Sequence, residues 1–215
     1  MKDIAIYGAG GFGKEVACLI AEINDKVEGD WRMIGFFDDG KPKGTQMSLY
    51  GEVLGDMDTL NAYPKDLALV IAVGNPRSLR SIYERITNRN IYFPNLIGTD
   101  FSMADVKTFQ IGIGNIINHR CFASCDVSIG NFNILNSDVK LGHDVKIGNY
   151  NVIMPDIRVS GEVIIGEENF IGVGSIILQQ IKIGREVRLG AGAVLMTKPK
   201  DGCTYIGNPA KRFKF

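Results

Sequence analysis

The sequence predicts an α/β domain with a parallel sheet, followed by a parallel β-solenoid. Over residues 1–97, short apolar runs alternate with amphipathic, helix-like segments, which is typical of strand–helix–strand units. From about residue 107 the helical pattern disappears, and an apolar residue recurs at every sixth position. At 215 residues the chain is long enough for both parts.

The elements of the first part follow from its apolar runs and its turn signals. Asp38-Asp39-Gly40 and Gly74-Asn75-Pro76 are turn sequences that end two of the predicted strands. The predicted strands are Ile4–Tyr7, Met33–Phe37, Leu67–Val73 and Ile91–Phe93, and the predicted helices are Lys14–Ile23 and Arg77–Ile86. With fewer than 100 residues, this part is a shortened version of a doubly wound domain.

The second part is periodic, and each turn of the repeat divides into three segments of six. Five isoleucines, each followed by glycine, mark the turns: Ile111, Ile129, Ile147, Ile165 and Ile183. Apolar residues also stand six and twelve positions after each of them. With 45% apolar residues overall, chance would produce fifteen such positions in a row about once in 10⁵. Three six-residue strands per turn give a triangular parallel β-solenoid of five coils over about residues 109–197, which buries a continuous apolar column.

One inward column of this solenoid is polar. Asn115, Asn133, Asn151 and Asn169 recur once per turn of the repeat, and Val187 ends the series. Stacked asparagines in parallel rungs form ladders of amide hydrogen bonds. The sequence therefore predicts a buried amide ladder along one side of the solenoid.

The first predicted strand leads into a glycine-rich turn, with Gly8, Gly10 and Gly13 spaced as in dinucleotide-binding proteins. The glycines allow the backbone to approach a phosphate closely, and the helix start presents free N–H groups to it. Any phosphate can bind in this way, so the turn by itself does not specify NAD. A full NAD site needs a second mononucleotide half, and here the solenoid begins where that half is expected. Asp38 lies 25 residues after Gly13, near the position of a ribose-binding acid, and keeps an NAD-dependent oxidoreductase open as an alternative.

Composition excludes several classes of protein. The 24 basic residues balance the 24 acidic ones, so no overall field favours nucleic acid or acidic membranes. No apolar run approaches the roughly 20 residues of a spanning helix, and the first residues carry no secretory core. Four cysteines form no CxxC pair, and His119-x-Cys121 lacks further ligands at suitable spacing, which favours structural cysteines and no metal site. A cytoplasmic location is expected.

His143 is the candidate base. It lies two residues after an inward leucine, so we expect it at a corner of the solenoid with its side chain pointing outward. Acyl transfer from a thioester needs a base for the acceptor's proton, and histidine titrates near neutrality. Asp144 is expected to orient the ring or to raise its basicity, and backbone N–H groups to stabilise the oxyanion.

The repeat "[Ile/Leu/Val]-Gly-x4" and the tail Tyr205–Lys211 resemble the hexapeptide-repeat acyltransferases, whose β-helix is left-handed. From about residue 2 to 213 the chain resembles the sialic-acid O-acetyltransferase and bacillosamine-pathway N-acetyltransferase family of nucleotide-sugar acetyltransferases. The resemblance implies a Rossmann-like nucleotide-sugar-binding domain at 1–97. It also implies a left-handed β-helix acyltransferase domain with a C-terminal tail at 98–215, acetyl-CoA as co-substrate, and a homotrimer.

The same resemblance implies site residues. His143 and Asp144 match the family's catalytic His-Glu pair, with the shorter Asp in place of Glu. Acceptor contacts correspond to Gly10, Gly11, Phe12, Asp38, Asp39, Gly74 and Asn75. Acetyl-CoA contacts correspond to Val152, Val173 and Ala191, and Gly172 and Gly190 leave the backbone accessible beside two of them. The basic residues Lys211, Arg212 and Lys214 are candidates to meet the CoA phosphates, with a solvated tail as the alternative. Bacillosamine-type members carry histidine in place of Phe12 and of Val152, so contacts at these two positions must differ here.

The expected activity is direct transfer of an acetyl group to a sugar, at active sites between subunits, in polysaccharide biosynthesis. The most favoured acceptor is the amino group of a nucleotide-linked amino sugar, and a sugar hydroxyl of the sialic-acid type is the alternative. A non-catalytic β-helix scaffold and a carbonic-anhydrase-like zinc protein are weaker competitors. The zinc site needs three histidine ligands, and the chain has two histidines.

Overall fold

In the computed structural model, which describes residues 1–27 and 31–214, the N-terminal part is a five-stranded parallel sheet with helices. Its strands are β1 (Lys2–Tyr7), β2 (Trp31–Phe37), β3 (Val53–Gly55), β4 (Leu67–Ile71) and β5 (Ile91–Tyr92). Its helices are α1 (Gly11–Val27), the 3₁₀ turn Ser48–Tyr50, α2 (Met57–Asn61) and α3 (Pro76–Arg85). The spatial order is β3-β2-β1-β4-β5, so the strand order reverses between β1 and β4. Over the described residues, no helix is long and apolar enough to cross a membrane.

All the strands and helices predicted for this part are present, with shifted ends. α1 begins at Gly11, ahead of the predicted start at Lys14, because the glycine turn itself forms the first helical turn. β4 ends at Ile71 instead of Val73. No sequence signal marks β3 and α2, because β3 has only three residues and α2 only five, too few to display a period.

The second part is a triangular solenoid with three parallel sheets, named here by their order along each coil. The first face consists of Leu96–Ile97, Ile116–Ile117, Ile134–Leu135, Val152–Ile153, Phe170–Ile171, Arg188–Leu189 and Thr204–Ile206, with Lys211–Phe213 added antiparallel. The second face consists of Ser102–Met103, Phe122–Ala123, Lys140–Leu141, Arg158–Val159, Ile176–Ile177 and Val194–Leu195. The third face consists of Gln110–Ile111, Ser128–Ile129, Lys146–Ile147, Ile164–Ile165 and Lys182–Ile183.

The stack begins earlier than the repeat suggested. Leu96–Ile97 is the first rung and pairs with Ile116–Ile117, at a longer separation along the chain than the repeat prescribes. Two extra residues between Met103 and Ile111 break the spacing of six, which hides this coil from a search for the period. The division of the chain at residues 97 and 98 stays a prediction, and residue 215 lies outside the described residues.

Each coil turns its corners through a residue in the left-handed region. From residue 114 to residue 192 every sixth residue has a positive φ, for example Asp138 at 66°, Asp144 at 58° and Glu162 at 59°. A single left-handed residue turns the chain sharply from one face to the next. The fold therefore fixes the position of Asp144, next to His143, through the backbone.

The predicted amide ladder is present and fully buried. The side-chain amide of Asn151 donates to Oδ1 of Asn133 at 2.9 Å and to the carbonyl of Gly166 at 2.8 Å. Its Oδ1 accepts the backbone N–H and the side-chain amide of Asn169, at 3.0 and 2.9 Å. The ladder continues below Asn115 to Asn95, which the repeat did not reveal.

α3 fastens the sheet domain to the corner between the third and first faces. Tyr83 packs against the rings of Phe132 and Tyr150, with centroids 4.3 and 6.2 Å away. One turn earlier Arg80 binds the buried carboxylate of Glu168 at 2.6 Å, and Arg77 pairs in the same way with Glu186 in the next coil. Three residues of an α-helix rise about 4.5 Å, close to the roughly 4.7–4.9 Å between strands. The helix therefore contacts one coil per turn and holds the two parts in a fixed register.

Replacing Tyr83 with alanine is expected to lower the free energy of unfolding by roughly 2–4 kcal/mol, because the aromatic contacts between the two parts are lost. Urea unfolding followed by circular dichroism measures the change. Tyr83→Phe is the matched control, since it keeps the ring and should unfold like the wild type. Equal midpoints for Tyr83→Ala and Tyr83→Phe would show that these contacts do not stabilise the interface.

Candidate active site

The glycine turn joins β1 to α1 with two positions that tolerate no side chain. Gly8 has a φ of 110°, in the region that favours glycine. A Cβ on Gly13 would collide with the carbonyl oxygen of Gly8, so the helix packs closely against the end of the strand. The start of α1 therefore faces the carboxyl edge of the sheet, where its first N–H groups are available to an anion.

At three other positions near this edge, packing does not require glycine. A Cβ on Gly10, Gly11 or Gly74 would meet no atom within 4 Å, and none of the three has a left-handed φ. Their lack of a side chain leaves backbone open to an approaching molecule. These are the glycines that the family resemblance assigns to the acceptor.

A cleft of about 510 Å³ lies at the carboxyl ends of β1, β2 and β4, beside the point where the strand order reverses. Ligands of open α/β sheets bind in this crevice. The cleft is lined by Tyr7, Gly8, Asp38, Asp39, Gly40, Val73, Arg77, Ser78, Ser81, Ile82 and Arg85. Its walls thus combine two carboxylates with two guanidinium groups and two serine hydroxyls.

The carboxylates of Asp38 and Asp39 both accept hydrogen bonds from other parts of the sheet domain. Asp38 accepts the backbone N–H of Ala9 at 2.6 Å and that of Gly40 at 2.8 Å, which ties β2 to the glycine turn. Asp39 accepts the N–H of Met57 at 3.0 Å and a guanidinium hydrogen of Arg85 at 2.8 Å. Both carboxylates therefore serve the shape of the cleft, including Asp38, the candidate ribose ligand of an NAD site.

Charge in the cleft is balanced locally. Burial and the neighbouring Asp39 carboxylate raise the pKa of the Tyr7 hydroxyl, which stays protonated at neutral pH. Partial burial opposes ionisation of Asp39, but the nearby Tyr7 hydroxyl and the guanidinium of Arg85 lower the pKa of its carboxyl overall. Asp39 is thus ionised at neutral pH and paired with Arg85.

A smaller cavity of about 300 Å³ lies between the sheet domain and the first face of the solenoid. From the sheet domain it is lined by Phe12, Glu15 and Gly74, and from the solenoid by Ile134, Asn136, Val152, Met154, Pro155 and Phe170. Phe12 was assigned to the acceptor and Val152 to acetyl-CoA by resemblance. The fold brings both positions to one cavity, and both are apolar in this chain.

His143 projects outward at the corner between the second and third faces. Its side chain is 49% exposed and that of Asp144 is 54% exposed. Nδ1 of the ring lies 2.8 Å from Oδ2 of Asp144. With a hydrogen on Nδ1 donated to this carboxylate, Nε2 is left as the acceptor for a proton.

The positions assigned to acetyl-CoA lie mainly at the corner between the first and second faces. Val173 and Ala191 are exposed there in successive coils, and Pro155 occupies the same position one coil earlier. Gly172 has a packing reason of its own, since a Cβ would come within 2.8 Å of the backbone nitrogen of Ala191. At Gly190 a Cβ would lie 2.7 Å from the side chain of Ile206.

The remaining predicted residues lie as follows. Asn75 is the N-cap residue directly before α3. Its side-chain oxygen accepts the N–H of Ser78 at 3.1 Å and is therefore engaged in capping the helix. Lys211 is exposed in the last strand of the first face. His119 lies at the corner between the first and second faces, and its Nε2 lies 3.3 Å from a carboxylate oxygen of Glu22.

The structure also adds cleft residues that the sequence did not single out. Arg77 and Arg85 lie near the two ends of α3 and line the cleft with Tyr7. Met154 and Phe170 line the smaller cavity from the solenoid. No local motif marks them, because they come together only through the docking of α3 and of the first face.

Comparison with known families divides the chain as its fold does. Residues 3–86 match the model of the PglD N-terminal domain, and residues 162–196 match the model of the bacterial transferase hexapeptide (six repeats). None of the curated proteins matches the sequence.

Solved structures match over essentially the whole chain. The acetyltransferase domain of PglB from Neisseria gonorrhoeae FA1090 has 30% identity and a TM-score of 0.88, over 99% of this chain and 100% of that one. WeeI from Acinetobacter baumannii AYE has 26% identity and a TM-score of 0.88, with the same coverage of 99% and 100%. A mutant of perosamine N-acetyltransferase from Caulobacter crescentus, in complex with CoA and GDP-perosamine, shares the fold at 21% identity and a TM-score of 0.85, over 100% and 98%. The chain therefore belongs to the hexapeptide-repeat, left-handed β-helix family of sugar acetyltransferases that carry a PglD-type N-terminal domain.

Proposed function

We propose that the protein transfers the acetyl group of acetyl-CoA to the amino group of a nucleotide-linked amino sugar, with His143 as the general base. Membership of the family makes it an acetyl-CoA-dependent sugar acetyltransferase. The proposal adds three things to this activity: a nucleotide on the sugar, an amino group as the acceptor and a histidine as the base.

The observation that carries the proposal is the cavity shared by the two parts. Phe12 and Gly74 reach it from the acceptor side, and Val152 and Pro155 reach it from the solenoid. Pro155 continues the corner column of Val173 and Ala191, which the resemblance assigns to the cofactor. A thioester that follows this column would end beside a sugar whose nucleotide occupies the neighbouring 510 Å³ cleft.

The chemistry then needs no covalent enzyme intermediate. The acceptor nitrogen attacks the thioester carbonyl carbon, the new C–N bond forms, and the carbonyl oxygen becomes an oxyanion. Nε2 of His143 takes a proton from the attacking nitrogen, while Asp144 holds the ring through Nδ1. When the C–S bond breaks, the imidazolium returns this proton to the sulfur, giving an amide and free CoA thiol.

His143 and the cofactor column stand at opposite ends of the second face, so one subunit does not bring them together. Three copies packed through their second faces would set the His143 corner of one subunit against the cofactor corner of the next. Ile176, Leu178 and Met196, on this face and at its edge, are apolar and 37–45% exposed, as expected for a surface that a neighbour covers. We therefore propose a homotrimer with its active sites between subunits.

A panel of UDP-, GDP- and dTDP-linked amino sugars tests the proposal, with acetyl-CoA as donor and free-thiol detection as readout. We expect thiol release that depends on one of these acceptors and an acceptor mass increased by one acetyl group. The matching sugars with a hydroxyl in place of the amine test the O-acetylation alternative. Thiol release with the hydroxyl sugars alone would overturn the amine assignment, and none with either series would overturn the nucleotide-sugar acceptor.

A further inference from the structure

The ring of His143 lies against the backbone of Gly161, which occupies the same corner one coil later. A Cβ built on Gly161 would lie 2.5 Å from Cε1 and 2.9 Å from Cδ2 of the imidazole, and would also overlap Nε2. Real Cβ atoms do not approach other atoms so closely. The observed ring position therefore exists only because residue 161 has no side chain.

The imidazole is the group closest to a side chain at this position. The three nearest atoms to the added Cβ all belong to the His143 ring, and the φ of Gly161 is not in the left-handed region. Several glycines of the solenoid differ, since a Cβ on Gly142 or Gly148, for example, would strike the backbone of the next coil. The closest obstacle to a side chain at residue 161 is therefore the imidazole.

We propose that Gly161 is a positioning residue for catalysis: it provides the flat surface on which the imidazole of His143 rests with Nδ1 on Asp144 and Nε2 directed to the acceptor. This inference rests on the proposed role of His143 as base. The next coil is held against this corner, because the N–H of Glu162 donates to the carbonyl of His143 at 2.8 Å. Asp144 thus contacts the edge of the ring at Nδ1, and Gly161 lies next to the ring in the following coil.

The neighbouring carboxylate does not compete for the ring. Glu162 repeats the position of Asp144 one coil later, but it accepts hydrogen bonds from Gln179 at 3.0 Å and Gln180 at 3.1 Å. The acidic residues at this corner position are thus Asp126 in the preceding coil, Asp144 beside the ring and the engaged Glu162 in the next coil. A methyl group at residue 161 would displace the ring from its observed position and would offer it no new hydrogen-bond partner.

The kinetic test is Gly161→Ala. We expect kcat to fall on the order of 10²-fold, since a misplacement of about 1 Å costs that much, with little change in the acceptor KM or in the melting temperature. In a His143→Ala background the added methyl meets no ring, so Gly161→Ala should change neither residual activity nor melting temperature there. A fall in melting temperature of similar size in both backgrounds, or a wild-type kcat for Gly161→Ala, would overturn the proposal.

A second readout does not depend on activity. The chain has two histidines, so the Cε1–H signals of the rings are assigned in the NMR spectrum by one His119→Gln variant. Gly161→Ala should move the His143 signal and leave the His119 signal unchanged. An unchanged His143 signal would refute the inference about Gly161 even if the acetyltransferase assay succeeds. A moved signal without turnover in the wild type would refute the proposed function alone.

Discussion

His143→Ala is expected to lower acceptor-dependent release of CoA thiol by about 10²–10⁴-fold, the usual contribution of a general base. Without the imidazole, no group at this corner takes the proton from the attacking nitrogen. Because the ring is 49% exposed and outside the apolar column, its loss should leave folding and oligomeric state unchanged. Steady-state kinetics with a thiol probe, with size-exclusion chromatography on the same sample, measure both.

Two variants make this experiment specific. His119→Ala removes the other histidine, which contacts Glu22, and should keep the wild-type rate. Asp144→Asn retains the size of the side chain and a residue type that tolerates a φ of 58°, but removes the charge beside Nδ1. We expect its rate to lie between those of the wild type and His143→Ala. Normal turnover by His143→Ala would end the assignment of the base.

Asn151→Leu is expected to cause the largest loss of stability of any single substitution proposed for this chain. The change deprives the carbonyl of Gly166 and the backbone N–H of Asn169 of side-chain partners inside the solenoid. Each buried group left unsatisfied costs about 1–3 kcal/mol, so the two together should lower the free energy of unfolding by several kcal/mol. Urea unfolding at one fixed protein concentration, with unchanged slope, measures the difference.

The matched control is Asn90→Leu, the same chemical change at an exposed position. Surface substitutions of this kind usually stay within about 0.5 kcal/mol. If both variants unfold at the same urea concentration, the amide ladder does not stabilise the solenoid. Such a result would leave the apolar columns alone as the source of its stability.

The solenoid could be predicted from the sequence because each coil repeats the same requirement for inward-facing residues. An inward residue every six positions must be apolar or, in one column, an asparagine that bonds to its copies above and below. That regularity predicted the three faces and the ladder correctly. It failed at the first coil, where two extra residues before Ile111 shift the register, and at Asn95, which lies before the repeat begins.

The sheet domain was less readable in its middle. β1, β2 and β4 are buried apolar runs bounded by turn residues, and they were found with small errors at their ends. β3 and α2 lie in a polar stretch and are held by contacts with β2 and with each other. Their short lengths provide no periodic signal, so only tertiary structure defines them.

For the site, sequence supplied the candidate residues and their chemistry, and those roles stay predictions. It did not reveal that Gly10, Gly11 and Gly74 border open space while Gly8 and Gly13 serve packing. It did not reveal either that Asp38 and Asp39 are engaged by the backbone and by Arg85. Both distinctions depend on neighbours that are distant along the chain.

By itself, the sequence determined which residues face inward and where an outward histidine meets an aspartate, because a period of six fixes direction along a solenoid. Only the tertiary structure decided how the two parts meet. The pitch of α3 matches the spacing of the coils, and this match brings Phe12 and Val152 to one cavity. It also decided that the His143 ring rests on Gly161, since this contact joins two successive coils through their packing and leaves no trace in any local pattern.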